Sequence, residues 1–255
     1  MGFSRRLADS ALETIGTDLG LGNVGFGLAA LDSIVSGGGY NTALGDSALT
    51  AVAGGDNNVG IGYQAGLAIT TGTDNVAIGY QTNKTASTGS CFNITVGTAS
   101  GDVLTTGIHN TALGHNSLGT STTGCYNIAL GATALGGADT SGNNNIAIGQ
   151  STMDALTTGA CNIAMGINAL GATTIGVCNI AIGVGAMYGV TTGQADSNIA
   201  IGVSAMVGAA GTSGNDNIAI GRATADALTT GACNVALGRN ALGATTTACL
   251  NIAIG

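Results

Sequence analysis

Apolar residues recur along this chain in short stretches that alternate with small or polar residues. The clearest stretch is a five-residue unit that opens with Asn, closes with Gly four residues later, and occurs fourteen times between residues 23 and 255. Consecutive units begin 17 to 19 residues apart. The second residue of each unit is β-branched, the third is small and usually Ala, and the fourth is apolar. Period-two alternation of this kind is typical of a β-strand.

The alternation places the second and fourth side chains on one face of each strand and the Asn, Ala and Gly residues on the other. We expect the large side chains, such as Ile146 and Ile148, to be buried and to stack into one narrow dry column. Because a unit of this size cannot bury an apolar face alone, the units must stack along an axis. The Asn side chains are then expected to form a hydrogen-bonded ladder. The predicted ladder consists of Asn41, Asn58, Asn75, Asn93, Asn110, Asn127, Asn145, Asn162, Asn179, Asn198, Asn217, Asn234 and Asn251.

A second, shorter apolar segment follows the closing Gly, as in Ala134-Leu135 and Ala169-Leu170. After it comes a turn stretch, often Thr-Thr-Gly, as in Thr157-Thr158-Gly159. We expect the glycine of this stretch to supply a positive φ at low steric cost. Each coil is therefore predicted to consist of a strand, a bend, a short second strand and a turn.

The composition favours thin repeated layers and argues against a large globular core. The chain has 46 Gly, no Pro and no Trp, and aromatic residues make up 3% of it. Apolar residues make up 45% and charged residues 7%, the reverse of a disordered chain. The predicted fold class is an all-β, left-handed β-roll or β-solenoid of about 14 coils, each of 17 to 19 residues, over residues 23–255.

The charge balance excludes several partners. The net charge is −8 with only five basic residues, which argues against nucleic-acid binding and against attraction to an anionic membrane surface. No run of 18 or more apolar residues is present, so no membrane insertion as a helix is expected. The first residues lack the apolar run of a secretory signal.

The units Asn145-Ile146-Ala147-Ile148-Gly149 and Asn217-Ile218-Ala219-Ile220-Gly221 resemble the head repeats of YadA-type trimeric autotransporter adhesins. They are still more similar to the longer Asn-x-Ala-Ile-Gly repeats of phage tail fibres. The resemblance covers residues 23–255. It implies a left-handed parallel β-roll, a homotrimer, and a fibrous or adhesive role. The repeat is longer here than in the adhesin heads, so a monomeric triangular solenoid stays a competing interpretation.

From this resemblance we expect a structural virion fibre, a phage tail fibre or spike, that projects a region for host recognition. Residues 1–22 are then the segment that attaches to a virion or tail protein, with a simple N-terminal cap as the alternative. The expected location is the virion after assembly in the host cytoplasm. The alternatives are a bacterial surface adhesin head at the cell surface and an ice- or surface-binding solenoid. A functional amyloid subunit is a further hypothesis. The last unit ends at Gly255, and a distal C-terminal part is expected beyond it.

The six cysteines lie one or two residues before a repeat Asn, at positions expected to be equivalent in the coil. They match no zinc-ligand spacing. We expect small apolar fillers at a turn, with disulfides between neighbouring coils, such as Cys161 with Cys178, as the alternative. His109 and His115 lie beside no Glu or Cys cluster, and the calcium pattern of Gly and Asp does not recur. The sequence therefore predicts no metal, no cofactor and no catalytic residue, and so no enzyme.

One position, directly after the closing Gly, varies from coil to coil. A variable position on a strict scaffold is expected to face outward and could form a contact stripe for a host-surface receptor or glycan. The candidate residues are Tyr63, Tyr80, His115, Gln150, Arg222 and Arg239. Nearly identical coils also allow slips of register by one unit. A registering element is therefore expected, either in residues 1–22 or beyond the C-terminus.

Overall fold

The structure is a computed structural model, and it describes residues 22–34, 37–85, 89–189, 195–208 and 214–255. The chain divides into two compact units, residues 1–123 and 124–255. The predicted segment 1–22 lies outside the described residues except for its last residue, Gly22. No helix occurs in the described ranges.

Each unit is a β-solenoid with one three-residue strand per coil. In the first unit the strands are β1 (Val24–Phe26), β2 (Thr42–Leu44), β3 (Val59–Ile61), β4 (Val76–Ile78), β5 (Ile94–Val96) and β6 (Thr111–Leu113). In the second they are β7 (Ile128–Leu130), β8 (Ile146–Ile148), β9 (Ile163–Met165), β10 (Ile180–Ile182), β11 (Ile199–Ile201), β12 (Ile218–Ile220), β13 (Val235–Leu237) and β14 (Ile252–Ile254).

Within each unit consecutive strands pair in parallel, with equivalent repeat positions opposite each other, as in Ile163 with Ile180. The predicted all-β solenoid of stacked coils is confirmed. The left-handed winding and the assembly of three chains stay predictions.

The strand faces are the reverse of the expected arrangement. The central Ala of the strand points into the coil, and Ala147, Ala164 and Ala181 are completely buried. The large residues on either side point outward and are only partly covered by their neighbours in adjacent coils. The prediction that these aliphatic side chains form the dry interior is therefore wrong. The coil is too narrow for them, because the Asn side chains and the second apolar segment already fill its inside.

The interior is completed by the second apolar segment, in which Leu135, Leu170 and Met187 are fully buried. This segment packs directly against the strand: a Cβ added to Gly60 of β3 would lie 2.6 Å from Cγ of Leu49. The segment forms turns and no strand, so the predicted second strand is wrong. The inner column thus combines small strand residues with larger side chains from the second segment and the turn after it, such as Met153 and Leu156 in the coil of β8.

In place of that second strand, the chain has bends at residues with a left-handed backbone conformation. In the coil of β9, Cys161, Asn168 and Leu170 have φ of 58°, 56° and 52°. This conformation costs roughly 1–2 kcal/mol for a residue with a side chain. Each of the three N–H groups donates to a carbonyl of a neighbouring coil: Cys161 to Asn143, Asn168 to Gln150, and Leu170 to Ala186. The bends therefore turn backbone donors along the stacking axis, and hydrogen bonds between coils offset the strain.

The closing Gly has two reasons to be glycine. Gly149, Gly166 and Gly183 have φ of 130°, 129° and 134°, a region that L side chains rarely adopt. A Cβ at Gly166 would also lie 2.7 Å from the carbonyl carbon of Gly183 in the next coil. Because the coils touch backbone to backbone at this corner, no other residue closes the unit.

The glycine of the Thr-Thr-Gly stretch has a different role from the expected one. Gly159 does not adopt a positive φ. A Cβ there would lie 2.5 Å from the carbonyl oxygen of Gly176, so the glycine permits close stacking of consecutive coils. Its own carbonyl accepts a hydrogen bond of 3.0 Å from the side-chain amide of Asn145. The turn glycine and the repeat Asn are therefore coupled from coil to coil.

Candidate interaction surface

The Asn side chains lie inside the coils and use their full hydrogen-bonding capacity. Asn162 donates from Nδ2 to Oδ1 of Asn145 at 3.1 Å and to the carbonyl of Gly176 at 2.8 Å. Its own Oδ1 accepts from the backbone N–H and from Nδ2 of Asn179, at 2.9 and 3.2 Å. The same pattern links Asn41 to Asn23 in the first unit. These buried amides are satisfied and act as a structural ladder, not as a site open to ligands.

The outward strand residues form a regular apolar surface in each unit. We call this surface the aliphatic face: the first and last residues of each strand. It consists of two columns in each unit, and in-register pairing places each side chain against its equivalents in the adjacent coils. Exposed members include Leu44 at 47% and Ile94 at 43% in the first unit, and Met165 at 39% in the second.

No strand described carries a charged residue. The only polar members of the aliphatic face are Thr42 and Thr111. Monomeric soluble proteins rarely expose continuous apolar patches of more than a few hundred Å², and larger ones commonly mark interaction sites. The aliphatic face is therefore the strongest candidate for a functional surface.

The candidate contact stripe after the closing Gly is exposed at every predicted position: Tyr63, Tyr80, His115, Gln150, Arg222 and Arg239. Two of its members interact, since the rings of Tyr63 and Tyr80 stack with centroids 5.5 Å apart. Beside them Nε2 of Gln81 donates to Oε1 of Gln64 at 2.9 Å. Equivalent side chains of neighbouring coils thus lie side by side on the surface. Whether this stripe contacts a receptor stays a prediction.

The position directly before the repeat Asn forms a second exposed column, which we call the corner column. In the first unit it includes Phe92 and His109, whose rings stack with centroids 4.7 Å apart and planes 2° from parallel. In the second unit it includes Cys161, Cys178 and Cys233, all exposed and free.

The six cysteines therefore occupy two kinds of position and not one equivalent place. Cys91, Cys125 and Cys249 lie one residue earlier than the corner column. At this earlier position the sulfur can accept a backbone hydrogen bond, as Cys249 Sγ does from Ala232 N–H at 3.3 Å. Asp196 Oδ1 does the same from Val177 N–H at 2.9 Å. The prediction of apolar filler is wrong for the exposed corner cysteines.

Two carboxyl groups are perturbed. Burial raises the pKa of Asp102, and the Lys84 ammonium, 3.8 Å from its Oδ1, lowers it in part. Burial also raises the pKa of Asp154, with a smaller opposing effect from the backbone N–H of Gly137. One oxygen of each carboxyl lacks a hydrogen-bond partner. Asp102 lies in the first unit and Asp154 in the second.

One inner position of the first unit carries a polar side chain without a hydrogen-bond partner. Asn83 replaces the Leu or Met of the second apolar segment, is fully buried, and has no partner for either side-chain amide atom. The equivalent residues of the adjacent coils are Gly66 and Gly101. The space beside Gly66 is filled by Leu49 and Ile69, whose side-chain carbons would lie 2.6 and 3.0 Å from an added Cβ. In the sequence, the signal for this site is a polar residue at a position where most other coils have Leu or Met.

Catalytic and metal chemistry find little support in the described ranges. A shallow pocket of about 200 Å³ in the second unit is lined by Asn168, Val184, Gly185, Tyr188, Ser204 and Val207, without an acidic or basic side chain. The described His, Cys, Asp and Glu side chains form no group of three that could hold a metal ion. None of the described segments is a helix of the length and hydropathy needed to cross a membrane.

In three Thr-Thr-Gly turns the first Thr is committed to the coil through its hydroxyl. Oγ1 of Thr157 donates to the carbonyl of Thr174 at 2.9 Å, and Thr105 and Thr229 bond the next coil in the same way. These hydroxyls are not free for an ordered ice-binding face.

Comparison with known proteins adds no further assignment. No protein-family profile, curated protein or solved structure matches the chain.

Proposed function

We propose that this chain is a structural fibre protein, a shaft of the virion tail-fibre or spike type, and that it assembles as a homotrimer through the aliphatic face. The observation that carries the proposal is that every described strand presents two outward apolar or Thr side chains, in register with the adjacent coils of its unit and without charge. Burial of such side chains contributes about 25 cal/mol per Å² of apolar surface, which favours association of equal copies. We assign no catalytic role to the chain.

The geometry favours another copy of the same chain as the covering surface. A partner with the same axial repeat can match its side-chain columns to these over many coils. The rise between paired strands is about 4.8 Å, so a partner without this repeat loses register after a few strands. In the proposed assembly, residues 1–22 attach the shaft to the virion or tail. Host contact is made by the stripe at Tyr63, Tyr80, His115, Gln150, Arg222 and Arg239.

The experiment is a mass measurement of the full chain in solution by light scattering coupled to size exclusion. One chain has a mass of 24.3 kDa, and we expect a species of three times that mass over a wide concentration range. Replacement of Ile146, Ile163 and Ile180 by Ser should shift the species to the monomer, with the β signature in circular dichroism retained.

The matched control replaces exposed aliphatic residues of the same coils that lie off the strand. Ile167 and Val184 are 47% and 49% exposed, and their change to Ser should leave the trimer intact. A folded monomer for the unmodified chain, or equal loss of the trimer in both variants, would refute the role of the aliphatic face.

A further inference from the structure

Two exposed cysteines occupy the same position of consecutive coils. Cys161 precedes Asn162 and Cys178 precedes Asn179, and the strands that follow, β9 and β10, pair in register. Both cysteines have φ of 58°, and both are free thiols on the surface. Their backbones therefore follow parallel paths, one coil apart.

The spacing of the coils suits a disulfide. The backbone N–H of Asn179 donates to Oδ1 of Asn162 at 2.9 Å, which fixes the two corners against each other. Paired strands lie about 4.8 Å apart. A disulfide requires Cα atoms about 4.4–6.8 Å apart, so the coil spacing falls within the allowed range.

The corner column also directs equivalent side chains alongside each other. Phe92 and His109 hold the same position in consecutive coils of the first unit, with φ of 57° in both. Their rings stack with centroids 4.7 Å apart. Side chains that leave this corner therefore run parallel and in contact distance, and a disulfide needs the two Cβ atoms to turn toward each other to about 3.5–4.5 Å.

We propose that Cys161 and Cys178 form a reversible disulfide that links the coils of β9 and β10. The two thiols lose two protons and two electrons, and a low-molecular-weight disulfide such as oxidised glutathione takes them up and becomes two thiols. The reaction passes through a mixed disulfide on one cysteine, which the second thiolate then attacks. The inference does not rest on the proposed fibre function.

The bond gives this part of the solenoid a unique register. Neighbouring coils have nearly the same apolar pattern, and a slip by one coil would keep most contacts. The same slip would separate the two sulfur atoms, since Asn144 and Ser197 hold the corner position in the coils on either side. Oxidation therefore fixes one pairing among several similar ones.

The test uses the full folded chain at a series of ratios of reduced to oxidised glutathione, followed by alkylation and digestion at the N-terminal side of Asp. The fragment from Asp154 to Ala195 contains these two cysteines and no others. We expect it to lose two hydrogens and to resist alkylation as the oxidised share increases. It should regain both alkylation sites after reduction.

The fragment that begins at Asp226 is the internal control, because it carries Cys233 and Cys249 in consecutive coils but in different columns. It should stay alkylated where the first fragment is linked. In Cys178→Ser, Cys161 should instead accumulate as the glutathione adduct, with an unchanged circular dichroism spectrum. Alkylation of both cysteines at every ratio, equal oxidation of the control pair, or a bond between chains on a non-reducing gel would each overturn the proposal.

Discussion

The two faces of each strand differ in the side chains that they can hold. The inner face carries only Asn, small residues and Gly, and Ala147 and Ala164 are completely buried. The outer face carries Thr, Val, Ile, Leu, Met or Phe, and these side chains are exposed or only partly buried. The inside of the coil therefore restricts size, whereas the outside restricts only polarity. Side chains on the inner face are covered by the coil itself, whereas those on the outer face need a second surface to cover them.

The most damaging change to the inner face should be removal of one ladder member. Asn162→Leu leaves the carbonyl of Gly176 and two donors of Asn179 without partners in a buried setting. At about 1–3 kcal/mol for each unsatisfied group, we expect a loss of roughly 3 kcal/mol or more in the free energy of unfolding. Urea unfolding followed by circular dichroism measures it. Ile167→Ser, at a 47% exposed side chain of the same coil that lies off the strand, is the control, and an equal loss there would show that the ladder has no special weight.

Overfilling the inner face should cost less than breaking the ladder. Ala164→Leu forces a larger side chain between Ala147 and Ala181, and we expect a loss of about 2 kcal/mol from displaced neighbours. Ile163→Leu adds no volume on the outer face and should change the free energy of unfolding by less than about 0.5 kcal/mol. If both substitutions have the same effect in urea, the inner face is not the narrow one.

At the buried Asn83, replacement of Asn by Leu should increase the free energy of unfolding, whereas the same replacement on the ladder decreases it. Its amide has no partner, and other coils place Leu at the same left-handed position, as at Leu49. Asn83→Leu should therefore raise the free energy of unfolding by about 1–2 kcal/mol. The matched change Asn75→Leu, in the same coil but on the ladder, should lower it. A thermal melt of both variants distinguishes them, and equal signs would mean that the amide of Asn83 is satisfied in solution.

The smallest effect concerns a charge beside the coil. Burial raises the pKa of Asp154 above its ordinary value of 3.8, so the folded state binds its proton more tightly than the unfolded state does. Below about pH 3.8 both states are protonated and no penalty applies. As the pH rises through the raised pKa, ionisation opposes folding and stability falls. Asp154→Asn should raise stability at pH 7 by less than about 1 kcal/mol, because the site is partly solvated, and should have no effect at pH 3. Melts at both pH values, with exposed Asp216→Asn as control, test the sign.

Much of the architecture could be predicted from the sequence because the repeat encodes it directly. Each strand coincides with the three residues between Asn and Gly, from Val24–Phe26 to Ile252–Ile254. Alternation, however, is symmetric between the two faces and does not say which one is inside. The restriction of the third position to Ala, Gly and Thr was the available signal for a narrow interior. It was outweighed by the general tendency of aliphatic residues to be buried.

The candidate surface was predicted in part for the same reason. Exposure of the variable position, including Tyr63 and Arg222, followed from its variation between coils. The left-handed bends were not predictable from residue type, since they are occupied by residues as different as Cys161, Asn168 and Leu170. Their conformation is imposed by hydrogen bonds to neighbouring coils, which no local pattern records. The division of the cysteines into two columns could be read from their distance to the next Asn.

The Asn ladder has a direction, because each side-chain oxygen accepts from the following coil and each amide donates to the preceding one. A coil, counted from one Asn to the next, can therefore be removed or duplicated without leaving an unsatisfied hydrogen-bonding group in the ladder. Such a change alters the number of stacked coils in a unit and leaves the hydrogen bonding of each coil as it was. The length of a stack can thus be adjusted in steps of one coil, by deletion or duplication within the gene, while the chemistry of every remaining layer stays the same.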